Sequence, residues 1–482
     1  YGQFHDEVER VAEILSASGV KKGRTVSIVL PNGLEFMIVF LAVTRSGAIA
    51  APLNSAYTKD EFKFYMEDTE SQLVIIKENA KIAIEAANEL NIEIASVKIN
   101  SDEKLEIQKN GTNLTKSKSV AAPDEKDIAL FLHTSGTTSR PKGVPLTHKN
   151  LMTSLSNISK TYLLNGDDTA LVVMPLFHVH GLIGVALSSL FSGGTIVIPE
   201  RFSASTFWQD RLDYNATWFS AVPTIHQILL MRANDDNAPS KSFRLIRSCS
   251  SALAPSVFDQ LENRFGAPVL EAYGMTEASH QMSSNLLPPG SRSPGTVGIG
   301  TGVDISIMDE SGNLLSYGQT GEVVIKGSNV TKGYHNNPDA NAEAFTNGWF
   351  RTGDLGSVDE SGYLTIVGRE KDMIICGGYN VYPKEIEQLI QRNSKVAEVA
   401  VVGVPHQDFG EVVVAAIVLK KGKSIDKDNL LAFLEKNLAN FKTPKVIFVV
   451  PNFPKNAMGK VQKNRIRDQL VSQPEVALFN KK

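Results

Sequence analysis

The sequence predicts an α/β protein: a large amino-terminal domain of doubly wound sheets plus a β-barrel-like part, then a small α+β domain. Three observations carry this prediction. From residue 127 onward, apolar strand-like runs alternate with helix-length segments, the pattern of parallel βαβ units. Near residue 300 that alternation gives way to strand pairs joined by turn-rich chain, which reads as an antiparallel barrel or sheet. After residue 368, a charged, glycine-led stretch (GREKD) precedes a unit ordered strand, helix, two strands, helix, strand. A chain of 482 residues exceeds one ordinary domain, and the last unit is long enough for a core of its own. The boundary is therefore set so that residues 1–370 form the large domain and 371–482 the small one.

The elements follow in order. Residues 4–18 have helical spacing, and 25–30 (TVSIVL) read as a buried strand. Residues 117–126 (SKSVAAPDEK) form a polar connector. Strands are expected at 128–133, 170–175, 194–198, 216–222, 245–248 and 269–272. Helices fill the intervals at 149–161, 181–191, 205–214, 224–233 and 254–265. Residues 304–309 and 321–326 are the antiparallel strands. In the last unit, strands at 397–402, 412–419 and 445–450 accompany a helix at 430–438.

Composition narrows the function classes. The chain is 42% apolar and 21% charged, which excludes a disordered or collagenous protein. Lys plus Arg is 49 against 52 for Asp plus Glu, so global charge gives no reason to expect a nucleic acid or an anionic membrane. No apolar run reaches the roughly 18 residues that a spanning helix needs. The two cysteines, Cys249 and Cys376, lie far apart; neither a disulfide framework nor a thiolate zinc site is expected, and a reducing compartment fits. A cytoplasmic location is expected. The final residues, LFNKK, are not a Ser-Lys-Leu address; a peroxisome stays open if a terminal signal lies outside this chain.

Six segments carry chemistry. Residues 134–143 (TSGTTSRPKG) follow an apolar strand. Hydroxyl and glycine residues cannot build a core there; they offer donors to an anion, with Lys142 as a point charge. The lysine precedes the glycine, so this is not a Walker A loop. Residues 175–181 (PLFHVHG) place two histidines two apart. A pocket lining is favoured over a metal pair, with core histidines the alternative. In 270–279 (LEAYGMTEAS), Tyr273 could face a base, Thr276 a phosphate and Glu277 a hydrated Mg²⁺, although a plain turn has the same letters. In 349–355 (WFRTGDL), Asp354 suits the two hydroxyls of a ribose or caps its own turn. Gly377 and Gly378 allow unusual dihedrals or a close backbone approach. Lys460, in 454–463 (PKNAMGKVQK), is a cation in a polar loop.

In this order and spacing the six segments resemble the adenylate-forming superfamily, the AMP-dependent acyl-CoA synthetases with firefly luciferase and peptide-synthetase adenylation domains. The resemblance runs from Tyr1 to Arg467. Ser139 departs from it, standing where most members have Gly. The resemblance implies an AMP-binding domain under a mobile lid, which rotates between acyl-adenylate formation and thioester formation. It implies that Thr134, Ser135, Gly136, Thr137, Thr138 and Lys142 grip phosphates. Ser251, Ala252, Ala272 and Tyr273 would enclose the adenine, with Gly274 and Met275 beside them. Thr276 would touch the α-phosphate, Glu277 hold Mg²⁺, and Asp354 bind the ribose with Arg369 alongside. Lys371 takes the hinge position. Lys460 matches the lysine of the first step, where it bridges the attacking carboxylate and the α-phosphate. Gly377 and Gly378, with Tyr379, match the loop that lines the CoA channel.

For the acid, residues 201–228, 246–255 and 275–285 resemble plant and yeast oxalyl-CoA synthetases, while the last unit resembles malonyl-CoA synthetases. A small dicarboxylate is therefore expected, oxalate first and malonate second. Its second carboxylate needs a strong donor once desolvated. The candidates for the acid pocket are His178, His226, Arg244, Ser248 and His280. His178 and His280 suit the short reach of oxalate. By the frame R-L-x-x-S-x-S, the resemblance implies that Arg244 meets a distal carboxylate. Arg247 is a further candidate for that donor, although strand alternation points it away from its neighbours' side, and a structural ion-pair residue is the alternative. Two alternatives remain. A 4-coumarate-type or short/medium-chain ligase would want a larger apolar pocket, against which the imidazoles argue. A module that loads a carrier protein would share the channel glycines, but no carrier segment accompanies them. The expected partners are a small acid, ATP with Mg²⁺, and CoA, with no nucleic acid and no membrane.

Overall fold

The computed structural model describes residues 1–134, 141–233, 243–456 and 460–480. The first sheet contains β1 (Thr25–Val29), β2 (Ile49–Pro52), β3 (Ser71–Ile76), β4 (Glu93–Ile99), β5 (Leu105–Lys109), β6 (Thr112–Asn113), β7 (Ile128–Thr134) and β8 (Lys142–Thr147). Its spatial order is β6-β5-β4-β3-β1-β2-β7-β8. The five central strands are parallel and the outer ones antiparallel. β1 and β3 are buried along nearly their whole length because both faces of a parallel sheet are covered. Helix Leu34–Arg45 is apolar almost all round for the same reason and is buried on most sides.

The second sheet contains β9 (Thr169–Leu171), β10 (Thr195–Val197), β11 (Trp218–Ala221), β12 (Leu245–Ser248), β13 (Val269–Met275), β14 (His280–Ser284) and β15 (Ile299–Gly300). Its order is β10-β9-β11-β12-β13-β14-β15, parallel through β13 and antiparallel beyond. One hydrophobic core spans both large sheets, with side chains from helices Gly2–Ala17, Leu34–Arg45 and His148–Tyr162.

The third sheet is β16 (Asp304–Met308), β17 (Gly321–Lys326), β18 (Phe345–Thr346), β19 (Trp349–Val358) and β20 (Leu364–Arg369). It is antiparallel, and its pairings leave it open rather than closed into a barrel. The fourth sheet is β21 (Ile374–Cys376), β22 (Tyr379–Val381), β23 (Val396–His406), β24 (Gly410–Leu419) and β25 (Val446–Val449). With helices Pro383–Gln391, Lys427–Asn437 and Lys463–Val471 it encloses a separate core. Only the one-turn 3₁₀ helix Glu370–Asp372 lies between the third and fourth sheets.

Three local expectations change. The strand at 128–134 does not join the later series; it pairs with β2 in the first sheet, Ala50 opposite Leu130. Local pattern sets that a strand forms, not which sheet edge receives it. The strand expected at 170–175 stops at Leu171, and Pro175 has no N–H to extend a ladder. The helix expected at 181–191 starts at Val179 and contains a π-helical stretch, Leu182–Leu187, a feature often found beside functional sites. Among the described residues no helix is long and apolar enough to cross a membrane.

Candidate active site

The carboxyl end of β13 meets β19 through Tyr273 and Asp354, at the end of the sheet where open α/β folds bind ligands. Asp354 and Arg369 are register partners across β19 and β20. Arg369 Nε lies 3.0 Å from Asp354 Oδ1, and the Tyr273 hydroxyl, arriving from β13, donates to Asp354 Oδ2. Three distant segments thus form one polar corner. Ala272 is buried beneath it, while Ser251 and Ala252 are exposed beyond β12.

β13 runs through Gly274 and Met275 into a one-turn helix that buries Thr276 and Glu277. Burial raises the Glu277 carboxyl above its ordinary range. Glu277 Oε1 accepts a 3.0 Å hydrogen bond from the Tyr334 hydroxyl. The Lys142 ammonium lies 4.7 Å from the centre of the Tyr334 ring. Thr134 and Lys142 are register partners on β7 and β8 and flank the hydroxyl-rich loop. Ser135, Gly136, Thr137, Thr138 and Ser139 lie outside the described residues.

The small domain contributes Lys460. Its side chain is accessible to solvent, yet it stands in a cleft crowded by protein. Burial and then the Arg369 charge push its ammonium down to about 8, against the opposing pull of Asp354. Lys371 is likewise pushed down to about 8, by burial and by Arg369. Lys460 is near enough to His178 for its charge to add to burial there, and the imidazole falls to about 4. The structure therefore gathers Lys460, His178, Asp354 and Arg369. It leaves Gly377, Gly378 and Tyr379 elsewhere. The two glycines have φ of +59° and +83°; Tyr379 is exposed and stacks on Phe441 at 4.6 Å on the small-domain surface.

Beneath His178 lies a buried polar cluster. His178 Nδ1 accepts from the His180 amide at 3.2 Å. His180 is fixed at both ring nitrogens, by Ser250 at 3.0 Å and Ser220 at 2.7 Å. Its ring stacks on His280 at 5.3 Å. Burial, and then the Arg247 charge, hold His180 and His280 well below the ordinary imidazole range. Burial drives His226 to about 4. All four imidazoles are thus neutral near pH 7. Neutral His280 Nε2 lies 2.7 Å from Arg247 Nη2, a contact in which the guanidinium donates. Arg247 also donates to Gln281 Oε1 at 3.0 Å and to the Tyr162 hydroxyl at 2.8 Å. It is fully buried, and among the described residues no carboxylate pairs with it.

Gly184, in the π-helical stretch, makes room for this cluster. A Cβ there would fall 2.4 Å from His280 Nε2 and 3.1 Å from Arg247 Nη1. Ser248 Oγ is buried without a hydrogen-bond partner. Neither ring nitrogen of His226 makes a well-formed hydrogen bond; the nearest polar groups are the backbone carbonyls of Ala221 and Arg247.

Two expectations exchange places. Arg244 precedes β12 and lies at the amino-terminal end of the sheet, away from the histidines. It donates to both oxygens of Asp168 at 2.8 and 2.7 Å and to the Tyr162 carbonyl at 3.0 Å. The expected contact between Arg244 and a distal carboxylate is not what this geometry offers. Arg247, the candidate that strand alternation argued against, enters the cluster instead. Alternation separates the two faces of β12, but both faces are covered, and the face of Leu245 and Arg247 packs on Tyr162 and the π-helical stretch. Reading the sequence also missed His180, Gln281 and Tyr334. The second histidine of PLFHVHG was a visible signal for one of them, and the lone aromatic in the turn-rich TKGYHNN run for another.

The same architecture recurs in known proteins. The AMP-binding enzyme family matches residues 1–335, and its C-terminal domain family matches residues 385–460. The oxalate–CoA ligase of Arabidopsis thaliana is 46% identical, covering 98% of this chain and 94% of the relative. The oxalate–CoA ligase of Saccharomyces cerevisiae is 44% identical, covering 92% and 86%. ATP-bound MatB from Rhodopseudomonas palustris superposes with a TM-score of 0.89 at 34% identity, covering 98% and 93%. The chain belongs to the AMP-binding enzyme family.

Proposed function

We propose that this protein is an ATP-dependent acid–CoA ligase whose acid is a two-carbon dicarboxylate, oxalate. One observation carries the choice of acid: a fully buried guanidinium, Arg247, with neutral histidines around it and no carboxylate among the described residues. A buried charge of this kind calls for an anion to meet it. A monocarboxylate with an apolar tail leaves it unmet. The second carboxylate of oxalate is one bond from the first, so it reaches the His280–Arg247 pair, with the Ser248 hydroxyl as a further donor. The oxalate–CoA ligases among the relatives support this reading.

In the first step an acid oxygen attacks the α-phosphorus of ATP. The bond to pyrophosphate breaks, and pyrophosphate leaves with that electron pair. Lys460 lies between the acid side at His178 and the ribose corner at Asp354, where its charge offsets the repulsion of two anions. Tyr273, Asp354 and Arg369 hold the nucleoside; Thr276 and Lys142 meet the phosphates. Glu277 fits magnesium: a single buried carboxylate with one oxygen already held, and no three-ligand cage among the described residues, matches an ion that takes its other ligands from phosphate and water. When bound, the ion neutralises phosphate charge. In the second step the CoA sulfur attacks the acyl carbon of the adenylate, its proton passes to solvent, and AMP leaves. Gly377, Gly378 and Tyr379 reach the site once the small domain turns about Lys371.

ATP–pyrophosphate exchange with a panel of acids tests this. Oxalate should give the highest kcat/KM, malonate less, and hexanoate or 4-coumarate little. A best rate with hexanoate or 4-coumarate overturns the dicarboxylate reading and leaves the ligase reading standing.

A further inference from the structure

Tyr334 lies on a loop that the six chemistry-bearing segments do not include, yet it touches two of them. Its hydroxyl donates to Glu277 Oε1 at 3.0 Å, and its ring lies 4.7 Å beneath the Lys142 ammonium. The loop itself is held firmly. The Thr331 amide donates to the Glu277 carbonyl at 2.7 Å, and the Thr331 hydroxyl to the Pro145 carbonyl at 2.9 Å. The Tyr334 amide donates to Asn341 Oδ1 at 2.6 Å, and Asn341 Nδ2 returns a bond to the Tyr334 carbonyl at 2.9 Å. Gly333, at φ +143°, lets the backbone pass Asn341, whose Oδ1 would lie 2.6 Å from a Cβ. Phe350 flanks the ring at 6.4 Å. The Tyr334 side chain is thus presented by a built support.

We propose that Tyr334 is a positioning residue that ties the carboxylate of Glu277 to the ammonium of Lys142, so that the metal-binding group and the phosphate-binding cation are set as one unit. The hydroxyl does one half of the work. Its hydrogen bond fixes one oxygen of the carboxylate while the other stays available. The ring does the other half: its face attracts the lysine ammonium without neutralising it, which an acidic residue in the same place would do. The inference rests on the nucleotide-binding reading of Glu277 and Lys142, and is independent of which acid is used.

The two halves separate by substitution. Y334F keeps the ring and removes the hydroxyl; Y334L removes both. Binding is read by calorimetry with the full chain and ATP, with and without Mg²⁺. Y334F should raise the Mg²⁺ concentration for half-maximal ATP binding roughly tenfold, the scale of one hydrogen bond to a charged group. It should leave metal-free ATP binding unchanged. Y334L should weaken metal-free ATP binding as well. In an E277Q background, Y334F should add nothing further, because the two residues act through one contact. If Y334F binds Mg²⁺ and ATP as the unaltered protein does, or weakens metal-free and metal-loaded binding equally, the proposal is overturned. An additional loss from Y334F in the E277Q background has the same consequence. Failure of ATP to bind the unaltered protein would instead remove the nucleotide reading itself.

Discussion

Arg244 and Arg247 stand three residues apart, at opposite ends of one short strand, and the protein treats them oppositely. At the amino-terminal end of the second sheet Arg244 is closed off: both oxygens of Asp168 meet it, and Thr217 Oγ1 donates to the same carboxylate at 3.0 Å. Around the carboxyl ends Arg369 is paired with Asp354, but the other cations are crowded without a carboxylate partner among the described residues. Arg247 is bonded only to neutral groups, Lys142 rests on an aromatic face, and Lys371 and Lys460 are both depressed by burial. A paired charge contributes to structure. A charge withheld from pairing costs stability and is retained where a ligand supplies the counter-charge. By that criterion the unpaired Arg247, Lys142, Lys371 and Lys460 support the proposed site independently of any motif.

The largest effect that could break this contrast comes from Arg247→Met. Losing a buried donor that the acid needs should cut oxalate-dependent kcat/KM on the order of 10³-fold or more. ATP binding should hold, and the melting temperature should hold or rise, because an unmatched buried charge has gone. A fall in melting temperature with unchanged acid preference would make Arg247 a second Arg244. Next comes Lys460→Ala, which should slow adenylate formation on the order of 10²–10³-fold. It should spare thioester formation from a supplied acyl-adenylate, as rapid-quench assays of each half-reaction would show.

The pH profile sharpens the same contrast. An ammonium pushed down to about 8 is charged below that pH and neutral above it. First-step kcat/KM should therefore be level through neutrality and fall as pH rises past about 8, with Lys460→Arg carrying activity to higher pH. His178 titrates near 4, and His180 and His280 are also held neutral. No imidazole step should thus appear between pH 6 and 7; such a step would assign the acid's counter-charge to a histidine. The smallest effect belongs to Arg244→Met. It should leave acid preference alone and cost about 1–2 kcal/mol in a urea melt, low in the range because the guanidinium is a third exposed.

The nucleotide side was far more legible than the acid side. Thr134 borders a contiguous hydroxyl and glycine run that no core would tolerate. Thr276, Asp354 and Lys460 stand in segments that a plain turn or polar loop would also give, and only the order and spacing of all six segments singled them out. The acid side is assembled from strand and helix positions that look like core. Arg247 occupies an alternating strand, His180 a buried helix start, and Gln281 a strand whose five residues are all buried. Their proximity arises from packing β12 and β14 against Tyr162 and the π-helical stretch, which no local period encodes. The fold divides similarly. Element positions followed from apolar spacing, while the transfer of residues 128–134 to the first sheet, and the open rather than closed antiparallel sheet, depend on long-range pairing.

The isolated charge of Arg247 also makes the empty enzyme a chooser among small anions. A buried guanidinium bonded only to neutral acceptors keeps its full charge, and a small anion admitted beside it would compete with the acid. Acid binding would then be a displacement, and by mass action its working affinity would fall as the competing anion's concentration rises. Two buffers of equal ionic strength but different anions would accordingly present two different enzymes to the same concentration of substrate. The anion composition of its surroundings, and not only the supply of acid, would then set how much of this protein is at work.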